Sequence, residues 1–350
     1  MKNVNLIFRL IKSVSDLRKF NNVNSRYHRE AKAIINNLTD SFDLETAQNI
    51  PSNFKLKLQW YMAECLYACE KFNEISGRTS TSQQKRAYLL SGALGAMCDF
   101  IIDDVEMKAE KIKEFKNPKT EDQYTDVVEK LYALFYHSFI NSLELEVKAR
   151  VIQYYELIFD AQLKSKQQFN PSITQQEVDE ICKNKCGYSL LYIRSLVTGE
   201  ITEIEKKALY ELGGYIQYCN DAQDLYKDLK KGLRTFASTR SDLETIARDL
   251  DKQKTIAFSL IKETPFDQKK KDELLFSLHI MSIGIIAKLN RYSKICDGNF
   301  SSEKLSKKSK EEVRSQLAIK KLLWYSFPKV IKYKYEDVDK SYDFQLNLNN

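Results

Sequence analysis

Four acidic side chains interrupt a strongly apolar segment at spacings that suit metal binding. They are Asp99, Asp103, Asp104 and Glu106. If the segment is an α-helix, Asp103 lies about 40° from Asp99 around the axis and Glu106 about 20° to its other side, whereas Asp104 points elsewhere. Carboxylates on one face repel one another, and burying them unpaired is unfavourable. The segment therefore predicts a bound cation, because its apolar surroundings weigh against a solvent-exposed acidic face.

A second row of oxygen donors follows later in the chain. Asn220, Asp224 and Asp228 recur every four residues, and Asp221 adjoins them. On an α-helix the three span an arc of roughly 80° along about two turns. Oxygen ligands without His or Cys favour magnesium over zinc. Taken alone, this row could equally be a solvated surface, because Lys227 can pair with the acids.

The elements that must position these rows are predicted to be helices. The chain of 350 residues has only ten Gly and five Pro, and it lacks alternating Val, Ile and Thr runs bounded by tight turns. We therefore expect an all-α fold, a single large helical bundle. The predicted helices are 54–75, 85–113, 121–142, 145–168, 174–198, 202–231, 240–264 and 267–294. The first row lies on the second of these helices, and Gly232 ends the helix that carries the second row.

Composition changes at both ends suggest three segments. Residues 1–50 are predicted to form a helical extension, 51–297 the catalytic core, and 298–350 a tail with basic and aromatic residues. Within the tail, the Ser, Lys and Glu content of 301–310 predicts a loop.

Charge and cysteine content limit the compartment and the partners. The net charge is +7, but the basic residues form no block interleaved with aromatics, so nucleic acid is not expected as a partner. The seven Cys include no CxxC pair, which favours reduced thiols in a cytoplasmic protein. Neither a signal peptide nor a membrane-spanning segment is predicted. A peripheral membrane contact and a homodimer are left open.

Together the two rows resemble the metal-binding motifs of the class I isoprenoid synthases. This superfamily contains the all-trans polyprenyl diphosphate synthases, the squalene and phytoene synthases and the terpene cyclases. The first row, Asp99xxxAsp103-Asp104, is closest to the DxxxDD form of the squalene and phytoene branch. The second, Gln217xxAsn220xxxAsp224xxxAsp228, is similar to the second motif of that branch. Read from Asn220-Asp221, it also resembles the cyclases' NDxxSxxxE motif, with Asp in place of Ser and Glu.

The resemblance covers residues 54–295 and implies a central cavity flanked by two metal-binding helices. It also implies magnesium as the cofactor, with roughly three ions in each active site. The implied catalytic residues are Asp99, Asp103, Asn220, Asp224 and Asp228, and the implied metal ligands add Asp104, Glu106 and Asp221. Shorter matches and helix placement suggest substrate contacts from Lys185, Arg194, Lys227, Arg291, Tyr292, Phe100, Tyr188 and Tyr215. Each of the aromatic residues, taken alone, is more typical of a core.

The implied activity is magnesium-dependent ionisation of an all-trans prenyl diphosphate, with release of diphosphate and cyclisation or rearrangement of the carbocation. Chain elongation is disfavoured, because no GGKRLRP segment precedes the first motif and no RRG follows Asp104. Thr235-Phe236-Ala237 stands where the squalene and phytoene branch has FWP or YLP. Three alternatives stay open: coupling of two prenyl diphosphates, a non-catalytic relative that binds lipid or a partner, and a helical scaffold with solvent-facing acids.

Overall fold

All regular structure in the described part of the chain is helical. The computed structural model describes residues 25–39, 52–104 and 109–316, and it contains no strand in these ranges. The prediction of an all-α fold is therefore confirmed. The α-helices are α1 (25–39), α2 (Ser52–Ile75), α3 (Ser82–Asp99), α4 (Ala109–Glu114), α5 (Val127–Ser142), α6 (Leu145–Ser165), α7 (Gln175–Ser195), α8 (Glu203–Lys231), α9 (Leu243–Glu263), α10 (Gln268–Ile295), α11 (Ser302–Lys307) and α12 (Lys310–Gln316). A π-helix spans Phe100–Asp104, and short 3₁₀ helices span Glu121–Gln123 and Lys166–Phe169.

The chain divides into two compact units, and the first contains the described residues up to Leu163 together with Tyr192–Glu200. Its core is built on α3, which packs most extensively on α2 and then on α5. A Cβ added at Gly92 would lie only 2.4 Å from the Tyr61 carbonyl oxygen, so a glycine is needed where α2 and α3 cross. This close approach brings Tyr61 alongside the helix that ends at Asp99.

The second unit contains Lys164–Leu191 and the described residues from Ile201 onward. Its central element is α8, which packs most extensively on α9 and also contacts α10 and α11. Thr202 begins α8 with a reciprocal capping box to Glu205, and Gly232 ends it in the left-handed conformation with φ 68°. The sequence predicted both ends of this helix.

Other predicted boundaries differ from the structure. The helix expected over 85–113 is instead α3, the π-helix and α4, and residues 105–108 lie outside the described ranges. The loop expected at 301–310 was a wrong prediction, because Ser301 caps α11 through the Lys304 amide and Leu305 is buried. The two units do not divide at residues 50 or 297, and most of the predicted extension and tail lie outside the described residues.

Across the described helices, none is both long enough and apolar enough to cross a membrane.

Candidate functional site

Asp99, the first residue of the first row, ends α3 and is held by three side chains of the first unit. The Tyr61 hydroxyl donates to its Oδ2 at 2.6 Å, and the Gln162 amide donates to its Oδ1 at 2.9 Å. The Lys57 ammonium lies 3.5 Å from Oδ2. Both carboxylate oxygens therefore have protein partners, and a lysine balances the charge. The side chain is still 21% exposed, so a ligand can reach it.

A π-helix begins directly after Asp99, and it changes the geometry that the sequence predicted. In the i→i+5 pattern of Phe100–Asp104 each residue turns through less than the 100° of an α-helix. The predicted offset of about 40° between Asp99 and Asp103 assumed an α-helix, so it does not apply to this segment. Such bulges inside helices are frequent at functional sites. The side chains of Asp103, Asp104 and Glu106 lie outside the described part, so their role in metal binding stays a prediction.

The second row lies on α8 as predicted, and its three members differ in burial. Asn220 is exposed, Asp224 is 34% exposed at its side chain, and Asp228 is buried with 6% of its surface exposed. Lys227 pairs with Asp224 at 3.0 Å, whereas the Thr235 hydroxyl donates to Asp228 Oδ2 at 3.2 Å. The row therefore runs from solvent into the protein interior toward the C-terminal end of α8.

Asp228 is in an environment that disfavours its charge. Burial, together with the negative charges of Asp221 and Asp224, raises the pKa of its carboxyl to about 7, whereas the Thr235 hydrogen bond and the charge of Lys227 oppose the shift. Within the described residues, no lysine or arginine forms a salt bridge with Asp228. A divalent cation would supply the missing positive charge. The donor set of Asp224 and Asp228, two carboxylates with an amide one turn away, fits a magnesium ion that keeps several waters.

Asp221 has a different role from the one predicted. Its Oδ1 accepts from the Gln217 amide at 2.7 Å, and its Oδ2 accepts from the Phe236 amide and the Cys182 thiol, both at 3.1 Å. Burial raises the pKa of this carboxyl, and the three hydrogen bonds oppose the shift. With both oxygens engaged in the interior, Asp221 fixes local structure, and the assignment as a metal ligand is not supported.

One predicted substrate contact on α10 lies close to the second row. The Tyr292 hydroxyl donates to the Gln223 carbonyl at 3.3 Å. Burial raises the pKa of Tyr292, and the charges of Asp224 and Asp228 add to the shift. Lys288, one turn earlier on α10, was missed by the sequence reasoning. Burial lowers the pKa of its ammonium group, and the charge of Asp224 opposes the shift. The four-residue spacing between Lys288 and Tyr292 is the signal that could have identified it.

The other predicted contacts have mixed placements. Arg194 is buried, and its guanidinium donates to the carbonyls of Val197 and Glu200 at 3.2 and 2.9 Å, so it holds its own loop. Tyr215 is a core residue whose hydroxyl donates to the Leu278 carbonyl. Burial removes both side chains from solvent, as it does that of Tyr292, so the structure gives no support to these three predicted substrate contacts.

The remaining candidates are partly accessible. Phe100 packs on Phe54 with ring centroids 4.4 Å apart, and Tyr188 packs on Tyr210 at 5.6 Å. Lys185 and Arg291 are half-buried on α7 and α10, and the charge of Lys185 opposes the raised pKa of Asp221. Their predicted contacts with substrate stay predictions.

Neither a preformed metal cluster nor a cavity is present at these positions in the described part of the chain. No three His, Cys, Asp or Glu side chains described in the structure are grouped so as to hold a metal ion. A shallow cavity of about 600 Å³ lies in the first unit, and none of the predicted site residues lines it. Its lining residues are Ser82, Gln83, Arg86, Ser138, Asn141 and Ser142.

Comparison of the chain with protein-family models, with curated proteins and with solved structures finds no match.

Proposed function

We propose that this chain is a magnesium-dependent enzyme of the class I isoprenoid synthase type. It ionises an all-trans prenyl diphosphate, releases diphosphate and cyclises or rearranges the resulting carbocation. The observation that carries the proposal is the Asp228 carboxyl, which is buried beside Asp224 and has a pKa raised to about 7. A buried carboxyl of this kind gains from a bound cation, because no described lysine or arginine forms a salt bridge with it.

The residues of α8 and α10 have separable roles in this proposal. Asp224 and Asp228 ligate magnesium, and Asn220 adds a neutral oxygen from the exposed end of the row. Magnesium, when bound, supplies the positive charge that stabilises a leaving diphosphate. Lys288 and Tyr292 lie close enough to Asp224 for their pKa values to respond to its charge. Lys288, which is only half-buried, is the proposed donor to diphosphate oxygens, whereas the buried Tyr292 donates to the Gln223 carbonyl.

The first motif contributes a prepositioned carboxylate. Hydrogen bonds from Tyr61 and Gln162 fix the orientation of Asp99 before any ligand binds, and this lowers the ordering that binding requires.

The direct test measures diphosphate release from farnesyl or geranylgeranyl diphosphate with magnesium present. We expect release by the wild type and its loss in Asp224→Asn. Asp160→Asn is the matched control, because Asp160 also pairs with a lysine, Lys116 at 2.8 Å, but is 59% exposed on α6. The control should retain activity. Equal activity in Asp224→Asn and the wild type would contradict the proposal.

Product analysis separates the alternatives. A cyclase uses one prenyl diphosphate for each hydrocarbon formed, whereas a coupling enzyme uses two. A non-catalytic relative would bind magnesium and inorganic diphosphate in calorimetry without turning over any prenyl diphosphate. A helical scaffold would show neither binding nor turnover.

A further inference from the structure

The loop that joins α8 to α9 (232–242) returns to α8 and holds two of its acidic residues. The Thr235 hydroxyl donates to Asp228 Oδ2 at 3.2 Å, and the Phe236 amide donates to Asp221 Oδ2 at 3.1 Å. Asp221 and Asp228 are seven residues apart, so they lie on one face of α8, about two turns from each other. Two consecutive loop residues therefore orient both carboxyls.

Thr235 is held in place by hydrogen bonds within the same loop. Its amide donates to the Ser238 hydroxyl at 2.7 Å, and its carbonyl accepts from the Thr239 hydroxyl at 2.7 Å. The Ser238 hydroxyl in turn donates to the Leu233 carbonyl at 2.7 Å. These bonds restrict the backbone on both sides of Thr235, so the direction of its hydroxyl depends on where the loop is anchored.

Arg240 anchors the loop to two other helices. Its Nη1 and Nη2 donate to the two carboxylate oxygens of Asp179 on α7, each at 3.0 Å, and its Nε donates to Asp249 on α9 at 2.9 Å. The side chain is only 9% exposed. This geometry needs the planar fork of a guanidinium, which a lysine ammonium cannot reproduce.

A stack of rings connects Arg240 to α8. The Arg240 guanidinium lies 4.5 Å from the centroid of the Phe236 ring. Phe236 is fully buried and stacks on Tyr218 of α8, with centroids 3.9 Å apart and planes 7° from parallel. The position of Arg240 is thus transmitted to Phe236, whose amide binds Asp221, and to the adjacent Thr235, whose hydroxyl binds Asp228.

We propose that Arg240 is a positioning residue for the second metal-binding row. By locking the α8–α9 loop onto α7 and α9, it fixes the Thr235 hydroxyl and so presets the Asp228 carboxyl for magnesium. The metal part of this inference rests on the proposed function. The anchoring of the loop by Arg240 can be measured without any metal.

The binding test uses Arg240→Lys, which keeps the positive charge and removes the fork. We expect the affinity for magnesium with inorganic diphosphate, measured by calorimetry, to fall about tenfold, as is typical when an outer partner of a metal ligand is changed. Thr235→Ala should show a similar loss, and Thr235→Ser, which keeps the hydroxyl, should restore affinity close to the wild type.

The matched control is Arg150→Lys. Arg150 also uses its fork on fixed oxygens, donating to the Ser195 and Gly199 carbonyls at 3.0 and 2.8 Å, but it lies in the first unit. The control should lower the melting temperature without changing the affinity. If Arg240→Lys does the same and no more, Arg240 is only a stabilising residue and the inference is overturned.

Hydrogen exchange of the Phe236 amide in the metal-free protein gives the second readout. We expect exchange at least about tenfold faster in Arg240→Lys and unchanged in Arg150→Lys, because Arg240 belongs to this amide's loop and anchors it, whereas Arg150 binds carbonyls of the first unit. Unchanged Phe236 protection in Arg240→Lys would overturn the anchoring itself. If the wild type fails to bind magnesium with diphosphate, the proposed function and the metal part of the inference both fail, while the exchange result still decides the anchoring. Should Arg240→Lys not fold, the Thr235→Ala and Thr235→Ser pair decides the metal part: equal affinities in the two variants would overturn it.

Discussion

Asp99 and Asp228, the best-defined carboxylates of the two motifs, are stabilised in opposite ways. Asp99 has a lysine at 3.5 Å and hydrogen-bond donors on both oxygens. Asp228 is more deeply buried, has one hydroxyl donor, and lies near two further acids that raise its pKa. The protein itself therefore balances the first charge, whereas the second is left for a cation or a proton.

This difference implies that two similar acidic motifs need not contribute equally to metal binding. A carboxylate with a lysine partner gains less from a metal ion, because the two cations compete for the same oxygens. A buried carboxylate without such a partner gains the full interaction. Within the proposed function, Asp228 is thus the stronger magnesium ligand, and Asp99, like the lysine-paired Asp224, is the weaker one.

The largest expected effect is on magnesium binding itself. We expect Asp228→Asn to weaken the binding of magnesium with inorganic diphosphate by more than about a hundredfold, since even outer partners of metal ligands typically contribute 10- to 100-fold. Asp99→Asn should weaken the same binding only about tenfold, because Lys57 already balances the charge of Asp99. Titration calorimetry on both variants measures the contrast, and equal losses would remove the distinction between the two motifs.

The stability of the metal-free protein should depend on pH through the protonation of Asp228. Its folded pKa of about 7 lies above the ordinary pKa of an aspartate, 3.8, so the folded state binds the proton more tightly than the unfolded state. The stabilisation is complete below about pH 4 and is lost as the pH rises through 7. We expect the metal-free protein to lose on the order of 3 kcal/mol from this group between pH 4 and pH 8.

Magnesium should reverse that loss. Urea unfolding at pH 5 and pH 8, with and without magnesium and diphosphate, measures the effect, and Asp228→Asn is the control in which this part of the pH dependence disappears. A wild type and an Asp228→Asn variant with the same pH profile would show that Asp228 is not the group responsible.

Neutralising the two carboxylates should change stability with opposite signs. In metal-free protein at pH 8, Asp228→Asn removes a repelled, buried charge and should stabilise the fold by about 1–2 kcal/mol. Asp99→Asn removes the partner of Lys57 and weakens two hydrogen bonds, and it should destabilise by about 1 kcal/mol. Chemical denaturation gives both values, and destabilisation of similar size by both changes would contradict the comparison.

Local sequence signals were sufficient for the ends of α8 and for the placement of its acidic row. The Thr202 capping box and the glycine at 232 act within one helical turn, so they can be recognised without knowing the fold. At α11 only an N-cap serine, Ser301, was present, without a capping box or a terminal glycine, and the polar composition of 301–310 outweighed it in the prediction.

Features that depend on distant residues could not be predicted in this way. Helical periodicity places Asp221 on α8 next to the acidic row. It does not reveal that the Phe236 amide and the Cys182 thiol both donate hydrogen bonds to its Oδ2. The π-helix after Asp99 likewise has no residue signature within its own five positions. Hydrogen bonds from remote segments determine the environment of Asp221, so the sequence indicated which residues were acidic but not which of them keep free oxygens for a ligand.

The smallest expected effect concerns a single hydroxyl at the first motif. Tyr61→Phe removes the 2.6 Å hydrogen bond to Asp99 and should destabilise the protein by about 1 kcal/mol, while magnesium affinity changes less than about threefold because Lys57 and Gln162 still orient the carboxylate. Tyr210→Phe is the matched control, since its hydroxyl donates at the same distance to the neutral Asn184 amide oxygen. Bonds to charged acceptors are stronger, so urea unfolding should show the larger loss in Tyr61→Phe. A tenfold or greater fall in magnesium affinity in Tyr61→Phe would instead mean that the Asp99 end depends on the metal as strongly as the α8 row does.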